Sequence, residues 1–337
     1  MKKTKNTKST KITKNTKDTK GTKNARKTVV VTGGAGFLGS NLVPALLAEG
    51  FEVHVVDSLV SGKKEHVPAG AKLHVLDIRD DARLRDLFAS IAASAGGIYC
   101  VFHLAALPRV QFSIDNPRES HSVNINGLLN VFEAARAAKA RRIVYSASSS
   151  AYGDQTVMPL VETMKPSPMS PYAVQKHYGE LLARQYALHY GLETVCLRYF
   201  NIFGPNFDPN GPYAMAIGKF LMARKEGKPI TVTGDGSQTR DCVYATDVVR
   251  ANILAARSSN VGQGEVMNIG SGRNPSIMEI ARLIAGKKGK IERIAPRVEP
   301  HDTLADISKA KKLLGWEPKV TLEEGIAALK KLSGIKE

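Results

Sequence analysis

The chain has 337 residues, 48 Lys and Arg against 31 Asp and Glu, a formal net charge of +17 and three cysteines. No apolar run reaches the ~18 residues that a transmembrane helix needs, and Cys100, Cys196 and Cys242 are far apart and outside any C-x-x-C, so no disulfide framework or zinc site is read from them. The charge is uneven: ten lysines and Arg26 against Asp18 put +10 of the +17 into residues 1–27, leaving +7 for the rest.

In chain order, the first segment is that tail. From Lys5 to Lys23 a lysine recurs at every third residue, most triplets reading Lys-x-Thr. With almost nothing apolar to bury, residues 1–27 are expected to be a disordered, solvated extension. The apolar stretch of a secretory signal is missing, and the cysteines read as buried small hydrophobes, so a cytoplasmic protein is expected. Attachment to nucleic acid through the tail is the other use of such charge, but no aromatic or base-reading element accompanies it.

The ordered part opens with the β-branched run Thr28 to Thr32, then Gly33-Gly34-Ala35-Gly36-Phe37-Leu38-Gly39, helix-forming residues to Ala48 and a stop at Gly50. A second strand, Glu52 to Val56, ends at Asp57. Strand, glycine turn, helix, strand and acid is the dinucleotide-binding arrangement: the glycines admit the pyrophosphate to the positive end of the helix. Asp57 suits the adenosine ribose diol and disfavours a 2′-phosphate, which points to NAD over NADP, with Lys63 and Lys64 nearby. Strand 72–76 ends at Asp77-Ile78, a helix follows over 80–92, and strand 98–102 runs into His103-Leu104-Ala105-Ala106. A helix over 118–138 contains Asn124, and strand 143–146 delivers Ser148, Ser149 and Ser150 at its carboxyl end. The alternation predicts a Rossmann-type, doubly wound parallel sheet with ligands outside the strand ends.

A helix over 170–190 follows, carrying Tyr172 and Lys176 four residues apart. That spacing puts phenol and ammonium on one face, and a nearby positive charge is expected to lower the phenol's pKa toward that of a base for a hydroxyl.

Taken together, Thr32-Gly-Gly-Ala-Gly-Phe-Leu-Gly39, His103-Leu-Ala-Ala106, Ser146-Ala-Ser-Ser-Ser-Ala-Tyr-Gly153, Tyr172-Ala-Val-Gln-Lys176, Leu197-Arg-Tyr-Phe-Asn201 and Ala305-Asp-Ile-Ser-Lys309 resemble the extended short-chain dehydrogenase/reductase family in its nucleotide-sugar epimerase branch, over residues 28 to about 330. The resemblance implies an NAD enzyme that inverts C4 of a UDP-hexose, glucose or an N-acetylated form, through a 4-keto sugar. Tyr172 would be the base, Ser148 would bond the 4-oxygen, and Lys176 would hold the nicotinamide ribose. The glycine turn from Gly33 to Gly39, Asp57, Asp77, Ile78, Leu104, Ala105, Ala106 and Asn124 would contact NAD. Ser149, Ser150, Asn201, Ala214, Met215 and Arg240 would bind the nucleotide sugar.

Two departures stand out: Pro108-Arg109 falls where a sugar-facing residue is expected, and Arg297-Val-Glu299 is one residue short with Glu in place of Asp. Thr303 aligns with the position that limits room beside the sugar's 2-substituent. A 4,6-dehydratase would need an acid/base pair where Ser149 and Ser150 stand. Uronic-acid epimerases and a non-catalytic NAD-binding regulator anchored by the basic tail remain as alternatives. The implied organisation is a cofactor domain at 28–200 with about 235–260 returning to it, and a smaller α/β substrate lobe from 201–234 and 261–337. A homodimer through the helices at 118–138 and 170–190 is expected, with no membrane association.

Overall fold

The structure is a computed structural model and describes residues 26–207, 216–287, 289–296 and 300–335. β1 (Thr28–Thr32) is buried throughout, as a β-branched run covered on both faces must be. α1 (Gly39–Ala48) and β2 (Glu52–Asp57) follow it, then β3 (Lys72–Val75) and α2 (Asp81–Ala95). The Asp80 side chain caps α2 at its start, and Gly96, in the left-handed conformation, ends it. β4 (Cys100–His103) leads into α3 (Val110–Asp115) and α4 (Pro117–His121). The helix expected over 118–138 is interrupted: a π-helical turn, Ser122–Gly127, separates α4 from α5 (Leu128–Ala137).

β5 (Arg142–Ser148) and α6 (Pro171–Tyr190) then place the serine run and the Tyr/Lys pair. Ser170 caps α6, Pro171 fills its first position, and left-handed Gly191 stops it. β6 (Glu193–Tyr199), β7 (Asn201–Phe203), α7 (Ala216–Lys225), β8 (Ile230–Thr233), β9 (Cys242–Tyr244) and α8 (Ala245–Arg257) come next. β10 (Gln263–Ile269), α9 (Ile277–Ala285), β11 (Ile291–Ile294), α10 (Ser308–Leu314) and α11 (Leu322–Leu332) complete the described chain.

The main sheet runs β10-β6-β5-β4-β1-β2-β3, all parallel. Strand order reverses between β1 and β4, and that switch point opens the crevice where such sheets hold ligands. One face packs Val29, Leu42, Leu46, Val248 and Trp316, and the other packs Val56, Leu84, Phe88, Phe132 and Tyr145. A separate core of Phe203, Phe220, Ile230, Ile280 and Ile326 builds the smaller lobe around the β8–β11 and β7–β9 pairs.

The boundary expected at residue 260 shifts. β10, in the stretch assigned to the substrate lobe, pairs with β6 and extends the main sheet, because buried Met267 and Ile269 belong to the core under α8. Among the described residues no helix is long and apolar enough to cross a membrane, and the three cysteines are free and buried.

Candidate active site

Two adjoining cavities open at the carboxyl ends of the strands, one of about 960 Å³ and one of about 90 Å³, with Gly33, Gly36, Leu104 and Ala106 on the walls of both. Gly33 has φ +73°, and a Cβ there would lie 2.6 Å from the Ala105 nitrogen, so both conformation and the neighbouring strand end demand glycine. A side chain on Gly36 would meet only the Gly33 oxygen, at 3.3 Å, and otherwise project into the cavity. Phe37, Leu38 and Gly39 complete this wall at the start of α1, whose first turn carries no acid to oppose its positive end.

Asp57, buried at the end of β2, lines the smaller cavity and also fastens the turn: Ala35 N donates to Oδ2 at 2.9 Å and Leu59 N to Oδ1 at 2.8 Å. A carboxylate has about four lone-pair sites, so capacity for a ribose diol remains. The strap after Asp57 folds back, with Lys63 N donating to the Ala35 carbonyl at 3.0 Å. A glycine cradle at an unopposed helix start and an acid at the next strand end fit a dinucleotide with a free adenosine ribose.

Asp77 and Ile78 also line the smaller cavity, together with Leu104, Ala105 and Ala106. Arg79 forks onto Asp77, with Nε 3.0 Å from Oδ1 and one terminal nitrogen 2.7 Å from Oδ2, and reaches Glu119 Oε1 at 2.8 Å with the other. That guanidinium holds the Asp77 carboxyl below its usual range. Asn124 is not on either wall. Its Oδ1 accepts from Leu107 N at 2.7 Å, and its amide donates to the Leu107 carbonyl at 2.9 Å and to Gln175 Oε1 at 2.7 Å. The structure thus gives it the work of pinning the 104–107 segment to α6.

On the larger cavity stand Ser148, Ser149, Ser150, Tyr172 and Lys176. Ser148 stands beside the Tyr172 hydroxyl and favours its ionised form, and Ser148 Oγ accepts from Ser150 Oγ at 2.9 Å. Lys176 Nζ donates to the Ser146 carbonyl at 2.8 Å and lies 5.9 Å from the centroid of the Tyr172 ring.

The expected lowering of the phenol's pKa is not found. Burial pushes Tyr172 up to about 12, with only the neighbouring Ser148 hydroxyl pulling the other way. Burial likewise pushes Lys176 down to about 8. The spacing was sufficient to bring the two side chains together, but the ammonium turns to a carbonyl and desolvation outweighs its field.

The opposite side of the cavity includes Asn201, Arg240 and Thr303. Arg240 donates to the Thr239 carbonyl at 2.7 Å and to the His301 carbonyl at 3.0 Å. Asp241 ties this side together: its backbone N donates to Thr303 Oγ1 at 3.0 Å, and its carbonyl accepts from Asn201 Nδ2 at 2.8 Å. Its buried carboxylate accepts from Ser271 N, Gly272 N and Ala305 N at 2.6, 3.1 and 3.0 Å. Ala214, Met215, Arg297 and Glu299 lie outside the described residues. Pro108 lines the cavity, and Arg109 begins α3 beside it. Sequence reasoning missed Tyr199, Val110, Gln111, Ile114 and Met169 on the wall. Tyr199 sits inside the Leu197-to-Asn201 motif and was within reach, whereas the others carry no motif.

The model of the NAD dependent epimerase/dehydratase family matches residues 29–270. The chain is similar to the UDP-glucuronate 4-epimerase of Thermodesulfobacterium geofontis, 36% identical over 317 residues, covering 88% of this chain and 93% of that protein. The crystal structure of UDP-glucose 4-epimerase from Thermotoga maritima with UDP-glucose matches with a TM-score of 0.84 at 36% identity, covering 90% of this chain and 99% of that one. The UDP-N-acetylglucosamine 4-epimerase from Methanobrevibacter ruminantium in complex with UDP-N-acetylmuramic acid matches with a TM-score of 0.83 at 34% identity, covering 91% and 99%.

Proposed function

The chain belongs to the NAD dependent epimerase/dehydratase family, and from that premise we propose that it inverts C4 of a UDP-hexose through a transient 4-keto sugar. NAD is the cofactor and, when bound, takes up and returns the hydride at C4. The observation that carries the reading is that Ser148, Tyr172 and Lys176 stand together on the wall of the cavity that the glycine turn also lines. Tyr172 takes the proton of the 4-hydroxyl, and Ser148 shares the 4-oxygen. Burial disfavours the phenolate, so the base form depends on the group that favours it, the Ser148 hydroxyl. Lys176 would hold the nicotinamide ribose, Asp57 the adenosine ribose, and the turn from Gly33 to Gly39 the pyrophosphate.

Asn201 and Arg240 take the nucleotide diphosphate, for which a forked, permanently charged donor is suited. Ser149 and Ser150 line the cavity as hydroxyls, where elimination of water would need an acid/base pair. The threonine at 303 is small, which supports room for a 2-acetamido group. The relatives' names support UDP-sugars as the substrate class. Exposed Val174, Tyr178 and Leu181 on α6 and Leu129 on α5 support a homodimer through these helices.

The test is proton NMR of the purified protein with catalytic NAD and UDP-glucose or UDP-N-acetylglucosamine. Galacto-configured anomeric signals are expected. A persistent ketone with loss of the 6-hydroxyl would mean a dehydratase, and no change with either sugar would remove the reading.

A further inference from the structure

A glycine stands in the middle of α6, where it is a poor helix former. Gly179 is buried three residues after Lys176, and a Cβ there would lie 2.3 Å from both the phenol oxygen and the ring of Tyr145. The helix is thus notched for that side chain. Tyr145 is not a loose end that could step aside: it is 2% exposed and stacks on its register partner His103 of β4, centroids 5.9 Å apart. Its hydroxyl donates to the Lys176 carbonyl at 3.4 Å, and the Lys176 ammonium stands 5.2 Å from its ring centroid, nearer than to Tyr172. Tyr145 therefore reaches the lysine twice, at its backbone and at its charge.

The buried ammonium donates to the Ser146 carbonyl at 2.8 Å, which occupies one of its three donors. An aromatic face attracts a cation through its quadrupole, and more strongly where water is excluded. Facing the same ammonium are His103 of β4, Tyr145 of β5 and Tyr172 of α6. Burial and the lysine's own charge hold His103 down to about 3, so it is neutral and brings no second charge. We propose that Tyr145 is a positioning residue for Lys176, its ring seating the ammonium and its hydroxyl holding the helix turn that carries it, and that residue 179 is glycine in order to admit it. The seat is independent of the 4-epimerase reading; its consequence for turnover rests on that reading.

The direct test follows the Lys176 side-chain carbon resonance, identified by its absence from Lys176→Met, through a pH titration of carbon-13 lysine-labelled protein. Wild type should titrate near pH 8. Tyr145→Leu removes the ring and should lower the midpoint by about one pH unit, the tenfold that a desolvated cation–ring contact supplies. Tyr145→Phe keeps the ring and should keep the wild-type midpoint. Gly179→Ala puts a methyl against the ring and should lower both the midpoint and the melting temperature. Combining it with Tyr145→Leu removes the clash, which should restore the melting temperature to that of Tyr145→Leu alone without restoring the midpoint. With whichever UDP-sugar the wild type inverts, Tyr145→Leu should cut kcat about tenfold at unchanged KM for the sugar, and Tyr145→Phe should turn over at the wild-type rate.

A midpoint in Tyr145→Leu equal to or above that of wild type would overturn the seat, as would a Tyr145→Phe variant that loses as much as Tyr145→Leu. If Tyr145→Leu does not fold, an unshifted midpoint in Gly179→Ala overturns it in the same way. A lowered midpoint with unchanged kcat would overturn the seat's part in turnover. A wild type that inverts neither UDP-glucose nor UDP-N-acetylglucosamine takes down the 4-epimerase reading, and the titration still decides the seat.

Discussion

The two walls of the crevice handle their charges in opposite ways. Around the smaller cavity each described charge is matched: Asp77 and Glu119 share the Arg79 guanidinium, and Asp57 takes two backbone amides. On the wall of the larger cavity a lysine is buried with a carbonyl as its partner, and a half-buried tyrosine is held protonated by its surroundings. The first wall spends its polar groups on order, while the second keeps a charge where burial opposes it. Strain of that second kind is what a group that must change protonation state requires.

The sharpest break in that comparison removes only the phenol oxygen. Tyr172→Phe keeps the ring and should lower kcat about a thousandfold, within the range for losing a general base. Retained NAD and the KM for sugar should hold, because the matched wall is untouched. A fall of less than about tenfold would remove Tyr172 from the chemistry.

Lys176→Met tests whether the second wall costs stability. The folded-state pKa of Lys176, about 8, lies below the group's ordinary value of 10.5. Below pH 8 both states carry the proton and the cost is fully present, about 3 kcal/mol. As pH rises from 8 toward 10.5 the unfolded chain holds the proton and the native chain does not, so wild-type stability climbs. Urea unfolding should therefore show the wild type gaining about 2 kcal/mol on the variant between pH 7 and 9.5. The lost bond to the Ser146 carbonyl offsets the comparison equally at every pH. Parallel pH profiles would mean that the ammonium is not paying a burial cost.

The same contrast explains what could be read from the sequence. Residues 28–57 are contiguous, and local rules place the glycine turn, the helix start and Asp57 without any distant contact. The i, i+4 spacing also brought Tyr172 and Lys176 to one cavity. The direction of their pKa shifts was out of reach, because it depends on burial and on Ser146, some 30 residues upstream of Lys176. The setting of Asn124 was out of reach for a similar reason: its partners Leu107 and Gln175 lie on other elements, and the π-helical turn that aims it has no sequence mark. β10 rejoins the main sheet through pairing with β6, which periodicity cannot see.

The smallest effect probes the side of the cavity facing neither wall's chemistry. Asp241 is fully buried, and burial raises its pKa against the pull of the amides that it accepts from. Those amides belong to Ser271, Gly272 and Ala305, while its backbone holds Asn201 and Thr303. Asp241→Asn turns one acceptor into a donor facing backbone N–H groups, which must move apart. If this residue positions the nucleotide-sugar side alone, the KM for sugar should rise about tenfold, with kcat changing far less. NAD content of the purified protein should stay at the wild-type level, since among the described residues its hydrogen-bond partners are Asn201, Ser271, Gly272, Thr303 and Ala305. A variant that also sheds NAD would show that the two sides are not independent, and a variant with wild-type KM would show that Asn201 and Thr303 are held in place without it.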